Sequence, residues 1–376
     1  MTLLQLGKRA APSSDETVPA PFFAHLYVEN RCHLRCKHCY EDDSTHPFKG
    51  THLTPAQWAP IFDGLKDLGV MVLTFSGGEP FLRKDFDALL QMAADKRFST
   101  RIYTAGTHID DAWADRLQAL QVGDVQVSLY SVDAAVHDGF TQHPGSWQKT
   151  IDGVRRLVAR GVPTLLKVTV TTFNIDELDA LCDLADDLGV KISFATQVFA
   201  KVSGDTSPLQ FQVPSDELAA KFFANPRVSE VRDMFDKEDV CQGEAGFDGE
   251  RRPCGAGEHI ITIGADGDVY PCAIFSSSAG NAVRDDVREI WRDAQLLKQV
   301  RAFRMKDFAE CPTCENSKTC APCMAQSESN HGVIDRCNPG SRHTAVAKRL
   351  AVLNDDDAQH AVAMHPSLAN TTMVAS

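Results

Sequence analysis

The sequence predicts an α/β fold: a partial (β/α)6 barrel followed by a small, cysteine-rich, metal-stapled domain. Three observations predict it. Between residues 22 and 200, six strand-then-helix units follow one another with short connections, which implies a parallel sheet with right-handed crossovers. There is room for six units, not for the eight that close a barrel. Eight of the twelve cysteines then fall between 241 and 337, in a stretch rich in Gly and Pro with little periodicity. Such a stretch has too small an apolar core to fold easily alone and calls for metal ligation.

The elements follow in order. Residues 1–21 read as a polar, disordered tail. Phe22–Glu29 has strand character and runs into a cysteine loop, Asn30–Tyr40. Thr54 and Pro55 mark a helix start, as cap and first-turn proline, and the helix stops near Gly69. Val70–Ser76 is a buried-strand pattern ending in Gly77-Gly78-Glu79-Pro80. Helices are predicted at 85–96, 110–120 and 147–160, and strands at 99–104, 124–131 and 163–171. Asn174 is the predicted cap of a helix reaching Leu188, and 190–198 is the sixth strand. Residues 201–239 form a connector with one or two helices from Pro214. The cysteine-rich domain spans 240–340, with a hairpin at 260–270 and a helix at 287–303. Residues 341–353 are helical, and a disordered tail follows.

Composition narrows the function. The chain has 376 residues, of which 43% are hydrophobic and 24% charged, ordinary values for a globular protein. Its net charge of −13 argues against a broad phosphate-binding surface, so no nucleic-acid partner is expected. No apolar run approaches the ~18 residues of a membrane-spanning helix, and no signal peptide is evident. A cytoplasmic location and no membrane association are expected. In a reducing compartment, twelve cysteines read as metal ligands or catalytic groups before disulfides.

Cys32, Cys36 and Cys39 are too close for three separate structural roles. A loop of this kind can turn three thiolates toward one centre, as iron–sulfur clusters require. A four-iron cluster held by three thiolates keeps one iron open for chemistry. A zinc site completed by His33 or His38 is the alternative. Gly77 and Gly78 leave backbone groups free to approach a ligand, and Glu79 offers an acceptor for a bound ammonium. Both loops fall at C-terminal ends of strands, where parallel barrels carry their sites. Cys182, beside Leu181 and Ala185, reads as a buried apolar cysteine. The thirteen histidines show no ligand spacing and read as mostly surface.

With these residues in view, the chain resembles the radical S-adenosylmethionine (SAM) enzymes. Cys32, Cys36 and Cys39 match that family's three-cysteine loop after the first strand, and Gly77–Pro80 matches its second signature. The resemblance implies a SAM-binding 4Fe–4S cluster on the three cysteines. It implies cofactor contacts from Gly77, Gly78, Glu79 and Ser128, with His38 standing where relatives carry an aromatic. Thr104-Ala105-Gly106-Thr107 lacks an asparagine common in the family, and Thr141 stands where some relatives carry a cation. Cys254, Gly267, Cys272, Cys311, Cys314, Cys320, Cys323 and Cys337 resemble a SPASM domain, which in its fullest form holds two auxiliary 4Fe–4S clusters. By that resemblance, Cys311, Cys314, Cys320 and Cys337 bind one, and Cys254, Cys272 and Cys323 bind the other with Cys241. A zinc ribbon built from the same cysteines is the alternative.

The implied activity is reductive cleavage of SAM to a 5′-deoxyadenosyl radical that removes a hydrogen atom from a substrate. SPASM enzymes most often act on peptides, so a ribosomal-peptide maturase making a cross-link, an epimer or an excision is the leading expectation. Its partners would be a peptide substrate, a one-electron donor such as flavodoxin or ferredoxin, and a separate leader-binding protein. Ala273 after Cys272, in place of an aspartate, argues against formylglycine formation. A radical enzyme acting on a small molecule or cofactor precursor is the second expectation. A non-catalytic zinc or electron-transfer protein is the third.

Overall fold

The computed structural model describes residues 18–41, 52–229 and 247–353. Six parallel strands form the barrel: β1 (Phe23–Glu29), β2 (Val72–Gly77), β3 (Ser99–Thr104), β4 (Asp124–Ser128), β5 (Thr164–Thr169) and β6 (Lys191–Ala195). Each pairs with the next in sequence order, and β1 does not meet β6, so the barrel is open. Helices α1 (Pro55–Asp67), α2 (Phe86–Asp95), α3 (Asp111–Ala119), α4 (Ala134–Thr141), α5 (Ser146–Ala159) and α6 (Leu178–Leu188) connect the strands. Their apolar faces cover the sheet around Trp58, Phe62, Phe75 and Phe86, all fully buried.

The Thr54 cap is a full capping box. Its side chain accepts from the Gln57 amide, Gln57 reaches back to the Thr54 amide, and Pro55 opens the helix. Asn174 does not cap α6. A 3₁₀ turn, Ile175–Glu177, comes first. The buried Asn174 side chain instead accepts from the Thr171 amide and donates to the Tyr130 and Thr169 carbonyls, stitching the end of β5 to the loop after β4. Helix α4 was not expected; Asp133 caps it by accepting from the Ala135 and Val136 amides.

The predicted hairpin forms, as β7 (Ile260–Ile263) and β8 (Asp268–Tyr270), but it does not stand apart. Strand β7 lies parallel to β1, Phe23 opposite Ile260 through Leu26 opposite Ile263. With β9 (Gly280–Asn281) the sheet has nine strands, and the cysteine-rich segment extends the barrel's own sheet. That segment adds a second core around Phe275, Phe303, Phe308 and Met324, which Tyr27 of β1 joins. The helix expected at 287–303 is two, Val287–Asp293 and Gln295–Ala302, with Ala294 extended between them. The break frees the Trp291 carbonyl to accept from the buried Arg301 guanidinium. The final helix, Pro339–Val352, is capped by Asn338 and packs on the turns at 215–223.

Candidate functional site

The three-cysteine loop leaves the C-terminal end of β1 and is held from two sides. On one side, the Arg35 and Lys37 amides donate to the Thr141 and Phe140 carbonyls, 2.9 and 3.1 Å away at the end of α4. On the other, the Gly78 and Glu79 amides donate to the Glu29 and Arg31 carbonyls at 2.7 and 2.9 Å. The glycines serve this second contact. A Cβ on Gly77 would lie 2.0 Å from the Glu29 oxygen, and one on Gly78 2.3 Å from the Arg31 oxygen. Gly77 also has φ +127°, which favours glycine. The approach the glycines permit is to the cysteine loop's own backbone.

The Glu79 side chain turns into the protein. Its carboxylate is fully buried and accepts from the Phe81 amide at 3.2 Å, the Thr104 hydroxyl at 2.8 Å and the Ala105 amide at 2.9 Å. It ties the Gly-Gly-Glu-Pro turn to the loop after β3. Burial raises its proton affinity against these three donors.

Cys32, Cys36 and Cys39 are half-buried around the turn in which the Cys39 amide donates to the Cys36 carbonyl. Burial pushes the Cys32 thiol up to about 11 and the Cys36 thiol higher, the latter also through Cys39 and Cys32 beside it. Such thiols ionise when a metal centre supplies positive charge. His38 stacks on Phe140, ring centres 5.1 Å apart, with Tyr130 edge-on at 4.9 Å. Its Nδ1 is buried without a partner, and burial lowers its pKa to about 4, so the ring is neutral. The Tyr130 hydroxyl lies against both the Cys36 thiol and Ser128. Tyr130 escaped the sequence reading, though it stands two residues after Ser128. Thr141, at the family's cationic position, is fully buried and bonds Ser146 at 2.7 Å.

The histidines depart from the expected surface scatter. His33, His108 and His143 cluster beside the cysteine loop, with ring centres 4.4 and 5.6 Å from His33. His137 is buried, and His25 lies half-buried in the barrel lumen. Cys182 is buried in α6 beside Leu181.

Cys311, Cys314, Cys320 and Cys337 come together around one pocket. Two buried polar atoms of residues lining it, Asn316 Oδ1 and Ser317 Oγ, lack partners. Cys272 lies among Cys323 and Cys254, and burial first, then these neighbours, push it up to about 12. Cys241 lies outside the described residues. Among the described residues, no three Cys, His, Asp or Glu side chains converge on a single-ion site. Four thiols lining one pocket fit a cluster that spreads its ligands over several irons.

The two cysteine regions touch through tyrosines. The Tyr27 hydroxyl meets the Tyr40 hydroxyl at 2.9 Å and donates to the Ala273 carbonyl at 3.0 Å. Tyr40 follows Cys39, and Ala273 follows Cys272. A second pocket opens between Val198–Ala200, in the segment after β6, and the helix Met324–His331, with Ile274 on its wall.

The chain is similar to several known proteins. A family model described as the radical SAM superfamily matches residues 26–185, and one described as an iron–sulfur cluster-binding domain, SPASM, matches 254–324. The chain is 27% identical over 326 residues to the AdoMet-dependent heme synthase of Nitratidesulfovibrio vulgaris, covering 81% of this chain and 88% of that protein. It is 29% identical to the mycofactocin maturase MftC of Mycobacterium ulcerans, covering 81% and 84%. The crystal structure of Streptococcus suis SuiB bound to precursor peptide SuiA shares the fold, with TM-score 0.64 at 19% identity over 85% of this chain and 75% of that one. The chain thus contains a radical SAM domain followed by a SPASM domain. No helix among the described residues is long and apolar enough to cross a membrane.

Proposed function

We propose that this protein is a radical SAM peptide maturase that removes a hydrogen atom from a ribosomal peptide held at the open barrel. On this reading Cys32, Cys36 and Cys39 hold the SAM-binding cluster, and Cys311, Cys314, Cys320 and Cys337 hold an auxiliary one. Cys254, Cys272 and Cys323 hold a third with Cys241. When bound, the first cluster and SAM supply one-electron cleavage of SAM and hydrogen-atom removal. The chain's residues position these groups: Glu79 and the glycines fix the cysteine loop, and His38 and Ser128 line the SAM side.

The observation that carries the peptide reading is the pocket between the segment after β6 and the helix Met324–His331. It opens beside Ile274, two residues from Cys272, and its wall includes the polar residues Gln326, Ser329 and Asn330. Resemblance to MftC along most of its length supports it. The similarity to AdoMet-dependent heme synthase favours a second reading, a heme-type cofactor precursor as substrate.

Anaerobic reconstitution tests both. The protein with SAM and a reductant such as flavodoxin, ferredoxin or dithionite is expected to form 5′-deoxyadenosine. A short precursor peptide encoded beside it is expected to raise that yield and change mass. Stimulation by a heme precursor alone selects the second reading. Bound zinc with no cleavage product sinks both.

A further inference from the structure

The barrel lumen holds a cation, Lys167, that meets no carboxylate among the described residues. Lys167 lies on β5, yet its ammonium nitrogen sits 3.9 Å above the centre of the Tyr103 ring on β3. To reach that ring it crosses β4, which places the charge inside the barrel. His25 on β1 completes the group, its ring 5.7 Å from Tyr103 and 5.0 Å from Tyr27. His25 Nε2 is buried and has no partner. Three alternate strands thus bring an ammonium, an imidazole and a phenol ring to one place.

Arg101, on the same face of β3, is treated differently. It meets its register partner Asp124 with Nε 2.9 Å from each carboxylate oxygen. Among the described residues Lys167 has no ion pair and no side-chain hydrogen bond. The Tyr103 face stabilises the charge, but it accepts no conventional hydrogen bond, and an ammonium carries three N–H donors. Lys167 is half-buried, and the part of an ammonium's hydration that is lost costs free energy unless an anion replaces it. Burial, then the Lys167 charge, lowers the His25 pKa to about 3, so this imidazole is neutral and keeps one N–H to donate.

We propose that Lys167, with His25 beside it, receives a carboxylate of the substrate inside the barrel lumen. One cation and one neutral donor match a singly charged, two-oxygen acceptor. The inference rests on the reading of the lumen as the reaction chamber. It covers both substrate readings, because an acidic peptide and an acidic cofactor precursor present the same group. The methionyl carboxylate of SAM is the rival source, since Ser128 is the β4 register partner of Lys167. The nitrogen sits instead over Tyr103, which pairs with Gln126, two residues before Ser128. The charge is therefore directed away from the strand ends.

The test uses the reconstituted protein with SAM bound and ¹³C-acetate as the carboxylate probe, its binding read by NMR line broadening. Acetamide serves as the neutral control. Wild type is expected to bind acetate and not acetamide. Lys167→Met is expected to weaken acetate by about tenfold or more, while Lys167→Arg keeps it, at equal iron content. SAM affinity is measured on the same samples. Acetate binding equal in wild type and Lys167→Met overturns the proposal. So does a loss of SAM affinity in Lys167→Met with acetate binding unchanged, which assigns the lysine to SAM. Formation of 5′-deoxyadenosine by wild type is scored separately, so the proposal can fail while the radical SAM reading stands.

Discussion

Replacing Gly78 with alanine tests what holds the cysteine loop in place. The new Cβ would lie 2.3 Å from the Arg31 oxygen, 2.6 Å from its carbon and 2.9 Å from the Asn30 oxygen, all backbone atoms. Ordinary contact starts at 3.4 Å, so the two loops must part by about 1.1 Å (3.4 − 2.3). That movement breaks or strains the Glu79-to-Arg31 and Gly78-to-Glu29 hydrogen bonds. Two such bonds are worth about 1–3 kcal/mol together. Urea unfolding of the reconstituted protein, followed by tryptophan fluorescence, should show a loss of that size. SAM affinity should fall with it, because the displaced segment carries Cys32. Gly139→Ala is the control: its Cβ would meet nothing within 4 Å, inside α4. It should be neutral or stabilising by up to ~1 kcal/mol. A Gly78→Ala protein within about 0.5 kcal/mol of wild type, with unchanged SAM affinity, would refute the claim that these glycines serve the contact between loops.

Other outcomes follow from the same geometry. Replacing Cys311, Cys314, Cys320 and Cys337 together with alanine should remove about four irons per chain, measured by iron analysis, and leave the SAM-binding site loaded. Tyr27→Phe strips partners from the Tyr40 hydroxyl and the Ala273 carbonyl and should cost about 1–3 kcal/mol. Tyr40→Phe should cost less, and the double variant should fall short of the sum, because the two hydroxyls share one bond. His137 is held neutral by burial, with its pKa lowered from 6.5 to about 4. The unfolded chain therefore takes up this proton first as pH falls. Stability fully present above pH 6.5 should be lost progressively toward pH 4. His137→Asn, which keeps an acceptor for the Tyr130 amide, should flatten that slope by up to ~1.4 kcal/mol per pH unit in unfolding measurements at stepped pH.

Much of this protein is local, and what is local was legible in its sequence. The strand at Ser99–Thr104 occupies the predicted residues. Thr54, Gln57 and Pro55 state a helix start within four residues, and capping depends on nothing farther away. The cysteine loop and the Gly-Gly-Glu-Pro turn declared themselves by spacing, and their places at strand ends follow from strand-helix alternation. The third and fourth strands and the hairpin were found by period and turn residues.

What the tertiary structure decided depends on partners far along the chain. Nothing in Ile260–Ile263 says that it will pair with β1, because a strand's edge carries no sequence label for its neighbour. Helix α4 holds the cysteine loop through backbone carbonyls, which any residue supplies. Glu79 turns inward because three donors converge there, two from the end of β3 and the residue after it and one from its own turn. The period of β5 places Lys167 opposite the buried Leu166 and Val168 in direction. Only the register of β1, β3 and β5 puts that face in the lumen, beside Tyr103 and His25. The cysteine spacing named the chemistry; the cross-strand register decided what the three-cysteine loop faces.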